Sequence, residues 1–151
     1  MNLPTVFGSE NLIAAPCIDT DVPGYLVLRA IAQHTHLYET AKSFQSELGV
    51  ALSLLEFGIS TVTGAPHVYI ARFSEASASI HFHLFPRTEE LAQSFLRENP
   101  GVIDGVNGPL LFDWARRKYH LGDPGRLSAT TISTAERIAS ACKAAKEPLP
   151  A

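Results

Sequence analysis

In the segment Ser79-Ile80-His81-Phe82-His83-Leu84-Phe85-Pro86-Arg87, polar and apolar residues alternate. On a β-strand, successive side chains point to opposite faces of the sheet, so this pattern predicts two unlike faces. The face suited to a core contains Ile80, Phe82 and Leu84. The polar face contains Ser79, His81 and His83, with neighbouring side chains about 7 Å apart. Pro86 cannot donate a backbone hydrogen bond, so the strand should end there or meet a sheet edge.

A long helix is predicted upstream of this strand, over residues 40–58, and Gly58 and Gly64 each offer a place where it can end. Its apolar residues recur at spacings of three and four: Ala41, Phe44, Leu48, Ala51, Leu52 and Leu55. This apolar stripe is wide, so we expect the sheet to cover one side and a partner subunit or the C-terminal segment to cover another. Residues 68–73 form a predicted strand that pairs antiparallel with the 79–85 strand. The helix should then pack on the face that contains Ile80, Phe82 and Leu84.

The flanking segments complete an α+β domain with an antiparallel sheet and additional C-terminal helices. Residues 11–15 and 25–29 are two strand-forming runs separated by turn residues, which predicts a β-hairpin. The first ten residues are expected to be an irregular lead-in. Helices are predicted over 88–97, with Thr88 as N-cap, over 110–119 and over 133–146. We expect one domain over residues 1–151.

Composition restricts the class of protein. The chain has 151 residues, of which 46% are hydrophobic and 18% charged, so a packed core is expected. The net charge of -3 argues against a general nucleic-acid binder. Cys17 and Cys142 show no metal-binding or disulfide spacing, so we expect free thiols in the cytoplasm. No signal peptide and no apolar run of about 20 residues is present, so no membrane association is expected.

The strand resembles the signature of the histidine-triad nucleotide-binding family, a His-φ-His-φ-His-φ-φ run often followed by Pro-Arg. His81, His83 and Pro86-Arg87 match, whereas Ser79 stands where the family has its first histidine. Upstream, Val22-Pro23-Gly24-Tyr25 resembles the family's Pro-Gly-His turn, with Tyr25 in place of the histidine. Glu75 stands where relatives usually have a glutamine that touches phosphate. The resemblance covers residues 12–87. Residues 88–151 are expected to form a helical C-terminal extension of the domain.

The resemblance implies attack at the α-phosphate of a nucleotide derivative. His81 would be the nucleophile and form a nucleotidyl-imidazole intermediate, which water then hydrolyses in a hydrolase or which passes the nucleotidyl group to another acceptor in a nucleotidyl transferase. His83 would donate a proton to the leaving group. Ser77, Ser79 and Arg87 would help to bind the substrate. The resemblance also implies a homodimer in which the long helix and a strand near residue 68 contact their counterparts, and it implies no cofactor; assistance by a divalent metal stays open.

Several other interpretations stay open from the residues themselves. A His-x-His pair on a strand can bind a metal, as in cupins, although Arg87 and Thr88 stand where the cupin pattern has an acidic residue. The pair can also be structural in a partly buried sheet. Without histidines at positions 25 and 79, the chain could be a nucleotide-binding module without catalysis. Tyr25 is expected to pack as a structural aromatic residue. Residues 116–118 could face a phosphate, but a solvated basic surface is the preferred interpretation.

Overall fold

The computed structural model describes residues 3–75 and 77–145. Residues 1–2, Ala76 and residues 146–151 lie outside the described ranges, so the first two residues of the predicted lead-in and the end of the predicted last helix are not described. The strands are β1 Phe7–Gly8, β2 Leu12–Pro16, β3 Leu26–Ala30, β4 His67–Ala71 and β5 His81–Arg87. The helices are a 3-10 turn at Leu37–Glu39 and α1 Lys42–Thr63, α2 Glu89–Glu98, α3 Gly108–Lys118 and α4 Ala129–Ala145. None of the described helices is long and apolar enough to cross a membrane.

The five strands form one antiparallel sheet in the order β1-β2-β3-β5-β4. The predicted hairpin is confirmed as β2 and β3, and β4 pairs with β5 as expected. The lead-in is not wholly irregular, because Phe7 and Gly8 pair with β2. Pro86 does not end β5, since it still lies opposite Val68. On the β3 side the ladder stops at Leu84, so Pro86 lies beyond the last pair and the missing amide proton costs no bond to β3.

Helix α1 packs on the apolar face of β5, as the alternation predicted. Ile80 and Leu84 are fully buried in one cluster with Phe44, Leu48 and Leu55 of α1, and Phe82 packs against that cluster. The helix does not end at Gly58. It continues to Thr63 because the first residue with a left-handed backbone is Gly64, with φ of 71°.

Helix α4 covers the second side of α1. The C-terminal segment was one of the two covers expected for the wide apolar stripe of α1. Ile138 and Cys142 of α4 are buried in the same cluster as α1. The helix begins four residues before the predicted start, because Ser128 accepts a hydrogen bond from the amide of Thr131 at 3.3 Å and acts as an N-cap. Close approach of the two helices requires Gly58, where an added Cβ would lie 2.6 Å from Cys142 Sγ.

Helices α2 and α3 cover part of the opposite face of the sheet. Their buried residues form a second cluster with residues of the β2–β3 hairpin and β5, including Tyr25, Phe85, Phe95, Phe112 and Trp114. Thr88 caps α2 as predicted, by accepting from the amide of Leu91. Helix α3 begins two residues before the predicted start because Asn107 accepts from the amide of Leu110. The sheet therefore lies between two helical layers, and the histidine face is only partly covered.

The contact between α1 and α4 can be tested with two glycines of the same helix. We expect G58A to lower the free energy of unfolding by about 1–3 kcal/mol, because its methyl group would overlap Cys142 and Ile138. G49A should raise it by roughly 0.5–1 kcal/mol, since no atom lies within 4 Å of the added Cβ and alanine favours the helix. Urea denaturation measures both. A G58A protein as stable as G49A would contradict the close packing.

Candidate functional site

His81 and His83 lie on the face of β5 opposite α1. Their ring centroids are 5.3 Å apart and the two rings are nearly perpendicular. Both side chains are half-buried. The strand register places Arg29 opposite His81 and Val27 opposite His83 on β3. The two imidazoles are thus held next to each other on the central part of the sheet, on the face that α2 and α3 leave partly open.

The orientation of the His81 ring is fixed by its own backbone. His81 Nδ1 lies 2.8 Å from the carbonyl oxygen of Ser79, which can only accept. A neutral His81 therefore carries its proton on Nδ1 and has a free lone pair on Nε2. An imidazole in this tautomer can attack an electrophilic centre through Nε2.

His83 has a different environment. Its Nδ1 lies 2.8 Å from the hydroxyl of Tyr25, a residue with no exposed surface. Burial, together with the positive charge of Arg116 and the proximity of His81, lowers the pKa of His83 to about 4. His83 is therefore neutral at pH 7. Where the phenol donates to Nδ1, the imidazole proton lies on Nε2 and is available to a ligand.

A short polar chain lies behind His83. Burial raises the pKa of the Tyr25 phenol, so the phenol keeps its proton. Burial and the neighbouring Asp19 raise the pKa of Cys17 to about 11, so its thiol also stays protonated and donates to Asp19 at 3.1 Å. Burial opposes ionisation of Asp19, but hydrogen bonds from Thr20 and Cys17 and the charge of Arg116 lower its pKa. Tyr25 and Cys17 are therefore uncharged, and Asp19 is the charged member of this group of three residues.

A cleft of about 770 Å³ opens beside His83, between β4 and α3. Phe73 and Phe112 line it and also contact the His83 ring, at centroid distances of 6.4 and 5.9 Å. The Arg116 guanidinium also lines the cleft, lies 5.8 Å from the centre of the Phe112 ring and pairs with Asp19 at 3.5 Å. The cleft is mostly apolar, and Arg116 and Asp113 place one charge of each sign at its wall.

The structure brings only some of the predicted site residues together. Ser79 contacts His81 through its carbonyl oxygen, and Ser77 and Ser79 line a smaller cavity of about 180 Å³ together with residues 33–35. Glu75 is exposed. Arg87 lies at the far end of β5, about 20 Å along the strand from His81, and pairs with Glu89 at 3.1 Å. Arg87 is therefore not part of the group of side chains around His81.

Other histidines and basic residues divide between the surface and the site. His36 is exposed and stacks on Tyr38, whereas His34 packs edge-on against Phe44. Arg117 pairs with Asp113 on the surface. Arg116 departs from the expected solvated surface because it turns toward Phe112 and the cleft. Across the described ranges, 3–75 and 77–145, no group of three or more His, Cys, Asp or Glu side chains could hold a metal ion.

Four residues of this site were not identified from the sequence as functional: Cys17, Tyr25, Phe112 and Arg116. Tyr25 was expected to be purely structural, yet its hydroxyl contacts His83. The available signal was its position at the end of the Pro-Gly turn, where the resembling family has a histidine. Phe112 and Arg116 lie beyond the segment of resemblance and come to the site only through the packing of α3, which no local pattern predicts.

Comparison with known proteins agrees with this architecture. No protein-family model matches the sequence, and no curated protein matches it. Among solved structures, a histidine triad nucleotide-binding protein from Sulfolobus tokodaii is similar with a TM-score of 0.62 and 12% identity, over 97% of this chain and 87% of that one. A histidine triad protein from Sinorhizobium meliloti gives a TM-score of 0.60 and 18% identity, over 90% and 87%.

This chain has the histidine-triad fold. A uridylyltransferase mutant shares that fold with a TM-score of 0.57 and 17% identity, and the similarity covers 95% of this chain but 44% of the larger one. At these identities the likeness concerns the backbone. Within the histidine-triad fold of this chain, β5 carries two histidines, and the positions of the other two family histidines hold Ser79 and Tyr25.

The environment of His83 predicts its titration. We expect the His83 ring to titrate near pH 4, because burial and Arg116 disfavour the imidazolium. Since the pKa in the unfolded chain is close to 6.5, the unfolded state binds more protons between these values, and stability should fall as the pH falls from about 6.5 to 4. Proton NMR of the histidine rings measures the midpoint, and H83Q assigns the resonance. A His83 midpoint at or above 6.5 would contradict the burial argument.

Proposed function

We propose that this chain binds a nucleotide derivative and acts at its α-phosphate through a nucleotidyl-histidine intermediate on His81. His81 Nε2 forms a bond to phosphorus while the bond from phosphorus to the leaving group breaks, and the leaving group takes a proton. Water, or another acceptor, then attacks the same phosphorus and the bond to Nε2 breaks. The product of attack by water is a nucleoside monophosphate.

The observation that carries this proposal is the hydrogen bond from His81 Nδ1 to the Ser79 carbonyl oxygen, at 2.8 Å. In the neutral ring it places the proton on Nδ1, leaves the lone pair of Nε2 free and orients the ring, which is what covalent catalysis by a histidine requires. The similarity of the fold to histidine-triad proteins and to a uridylyltransferase supports the same substrate class.

His83 is suited to contact the phosphate rather than to act as a cation in the free protein. With Nδ1 bonded to Tyr25, its Nε2 proton can be donated to a phosphate oxygen. A bound phosphate would raise the pKa of His83, because a nearby negative charge favours the imidazolium. His83 could then supply the proton of the leaving group after substrate has bound. Ser77 and Ser79 offer further hydroxyl donors at the start of β5.

The proposal is tested with an adenosine phosphoramidate and a diadenosine polyphosphate as substrates. We expect release of AMP by the wild type and none by H81A, with AMP affinity retained. H83A should slow cleavage by roughly 10²–10⁴-fold, and less for a better leaving group, because such a group needs less protonation. A substrate labelled at the α-phosphate should leave its label on His81 in the acid-quenched protein. Turnover by H81A at the wild-type rate would refute the assignment of His81 as the nucleophile.

A nucleotide-binding module without catalysis is the second candidate. The observation that favours it is the lowered pKa of His83, since a neutral imidazole is a poor proton donor to a leaving group. Position 79 holds a serine, which cannot replace an imidazolium there. This candidate predicts that AMP binds while neither substrate releases AMP. Such a result would support nucleotide binding and rule out catalysis on these two substrates.

We also infer that this single domain forms a two-fold homodimer. β4 is an edge strand of the sheet, and its Ile70 is 40% exposed. On α1, Val50 and Phe57 remain exposed although α4 covers another side of that helix. An open edge strand and apolar residues on the adjacent helix suit an interface between identical copies.

The assembly is tested by light scattering at micromolar concentration. We expect a dimer for the wild type and a shift toward monomer for I70K, because a charge at the centre of the edge strand opposes pairing. I31K, a substitution of an exposed isoleucine just after β3, is the control and should stay dimeric. A monomeric wild type would refute the interface.

A further inference from the structure

Arg29 lies directly across from the proposed nucleophile. The register of β3 and β5 makes Arg29 the partner of His81, so the two side chains project from the same face of the sheet. Cβ atoms of such cross-strand pairs are roughly 4.5–5.5 Å apart. The neighbours of Arg29 along β3, Leu28 and Ala30, are buried on the other face. The guanidinium is thus held on the histidine face by the same alternation that holds His81.

Arg29 is exposed and makes no hydrogen bond or ion pair within residues 3–75 and 77–145. Other arginines around this sheet are engaged. Arg72 donates to the carbonyl oxygen of Thr35 at 2.6 Å, Arg87 pairs with Glu89, and Arg116 pairs with Asp19. Arg29 therefore has donors available beside His81 without breaking an existing interaction.

We propose that Arg29 binds the non-bridging oxygens of the phosphate that His81 attacks; this inference rests on the proposed function. A guanidinium presents paired N–H donors that match two phosphate oxygens, and it stays charged at any pH the protein experiences. The charge is needed because Ser79 is neutral and His83 is uncharged at pH 7. Arg29 forms and breaks no covalent bond. It stabilises the negative charge on the phosphate oxygens while the bond from Nε2 to phosphorus forms and the leaving group departs.

The test compares R29Q and R29K with R137Q. Arg137 is an exposed arginine of α4, on the helical layer opposite the histidine face, so R137Q is a matched loss of one surface charge. AMP and adenosine affinities are measured by calorimetry, and cleavage of the phosphoramidate is measured in the same preparations. Adenosine lacks the phosphate, so its affinity reports on the folded nucleoside-binding surface independently of Arg29.

We expect R29Q to weaken AMP binding by about 10–100-fold and to lower kcat/KM by roughly 10²–10³-fold. Adenosine affinity should not change. R29K should keep part of the AMP affinity because it keeps the charge, and R137Q should equal the wild type. If R29Q binds AMP as tightly as the wild type, this inference is wrong while the proposed function stands. If the wild type binds no AMP, the proposed function and this inference both fall. If the wild type binds AMP without turnover and R29Q weakens that binding, Arg29 is supported in a non-catalytic module.

Discussion

The alternation of apolar and polar side chains along β5 sets both the core contact with α1 and the position of the two histidines. β5 lies between β3 and β4, so its register is fixed on both sides and its side chains cannot change face. Ile80 and Leu84 are drawn into the core beneath α1, and this burial obliges His81 and His83 to point away from it. A slip of one residue would bury both imidazoles against α1 and expose the core. The driving force that forms the sheet is therefore also what positions the site.

The two imidazoles differ because of what lies behind each ring. His81 is oriented by a backbone carbonyl of its own strand, an interaction that depends on few other parts of the fold. His83 is oriented by Tyr25, which is itself enclosed by Phe85 and Phe112. The orientation of the His83 ring thus depends on the packing of α3, because Phe112 contacts both Tyr25 and His83. Burial without a carboxylate partner keeps His83 neutral, which fits a role that begins only when a phosphate is bound.

The parts of the fold that follow from local pattern could be predicted from the sequence. The alternation of 79–85, the helical period of 40–58 and the Pro-Gly turn each specify one element, and together they predict the order of layers around β5. The ends of elements were less predictable. Gly58 looked like a helix stop, yet it lies inside α1 because close contact with α4 requires a residue without a side chain. Ser128 lies outside the apolar periodicity, yet it caps α4, which therefore begins four residues before the start predicted from that periodicity. Arg116 and Phe112 reach the site through tertiary packing, and for that reason spacing along the chain could not place them.

If the site binds a phosphate as proposed, Tyr25 and Ser79 supply no positive charge to it. An imidazole is charged at neutral pH only when its surroundings favour the cation, and here burial opposes that for His83. Guanidinium groups carry charge regardless of burial or pH. Arg29 stands on β3 beside His81, and Arg116 stands on α3 near His83, so one arginine flanks each imidazole from a neighbouring element. Arg116 is already paired with Asp19 and lowers the pKa of His83, whereas Arg29 is exposed and unpaired among the described residues. In the mechanism proposed above, β5 would supply the nucleophile and the neutral donor, while the permanent positive charges would come from arginines outside the strand.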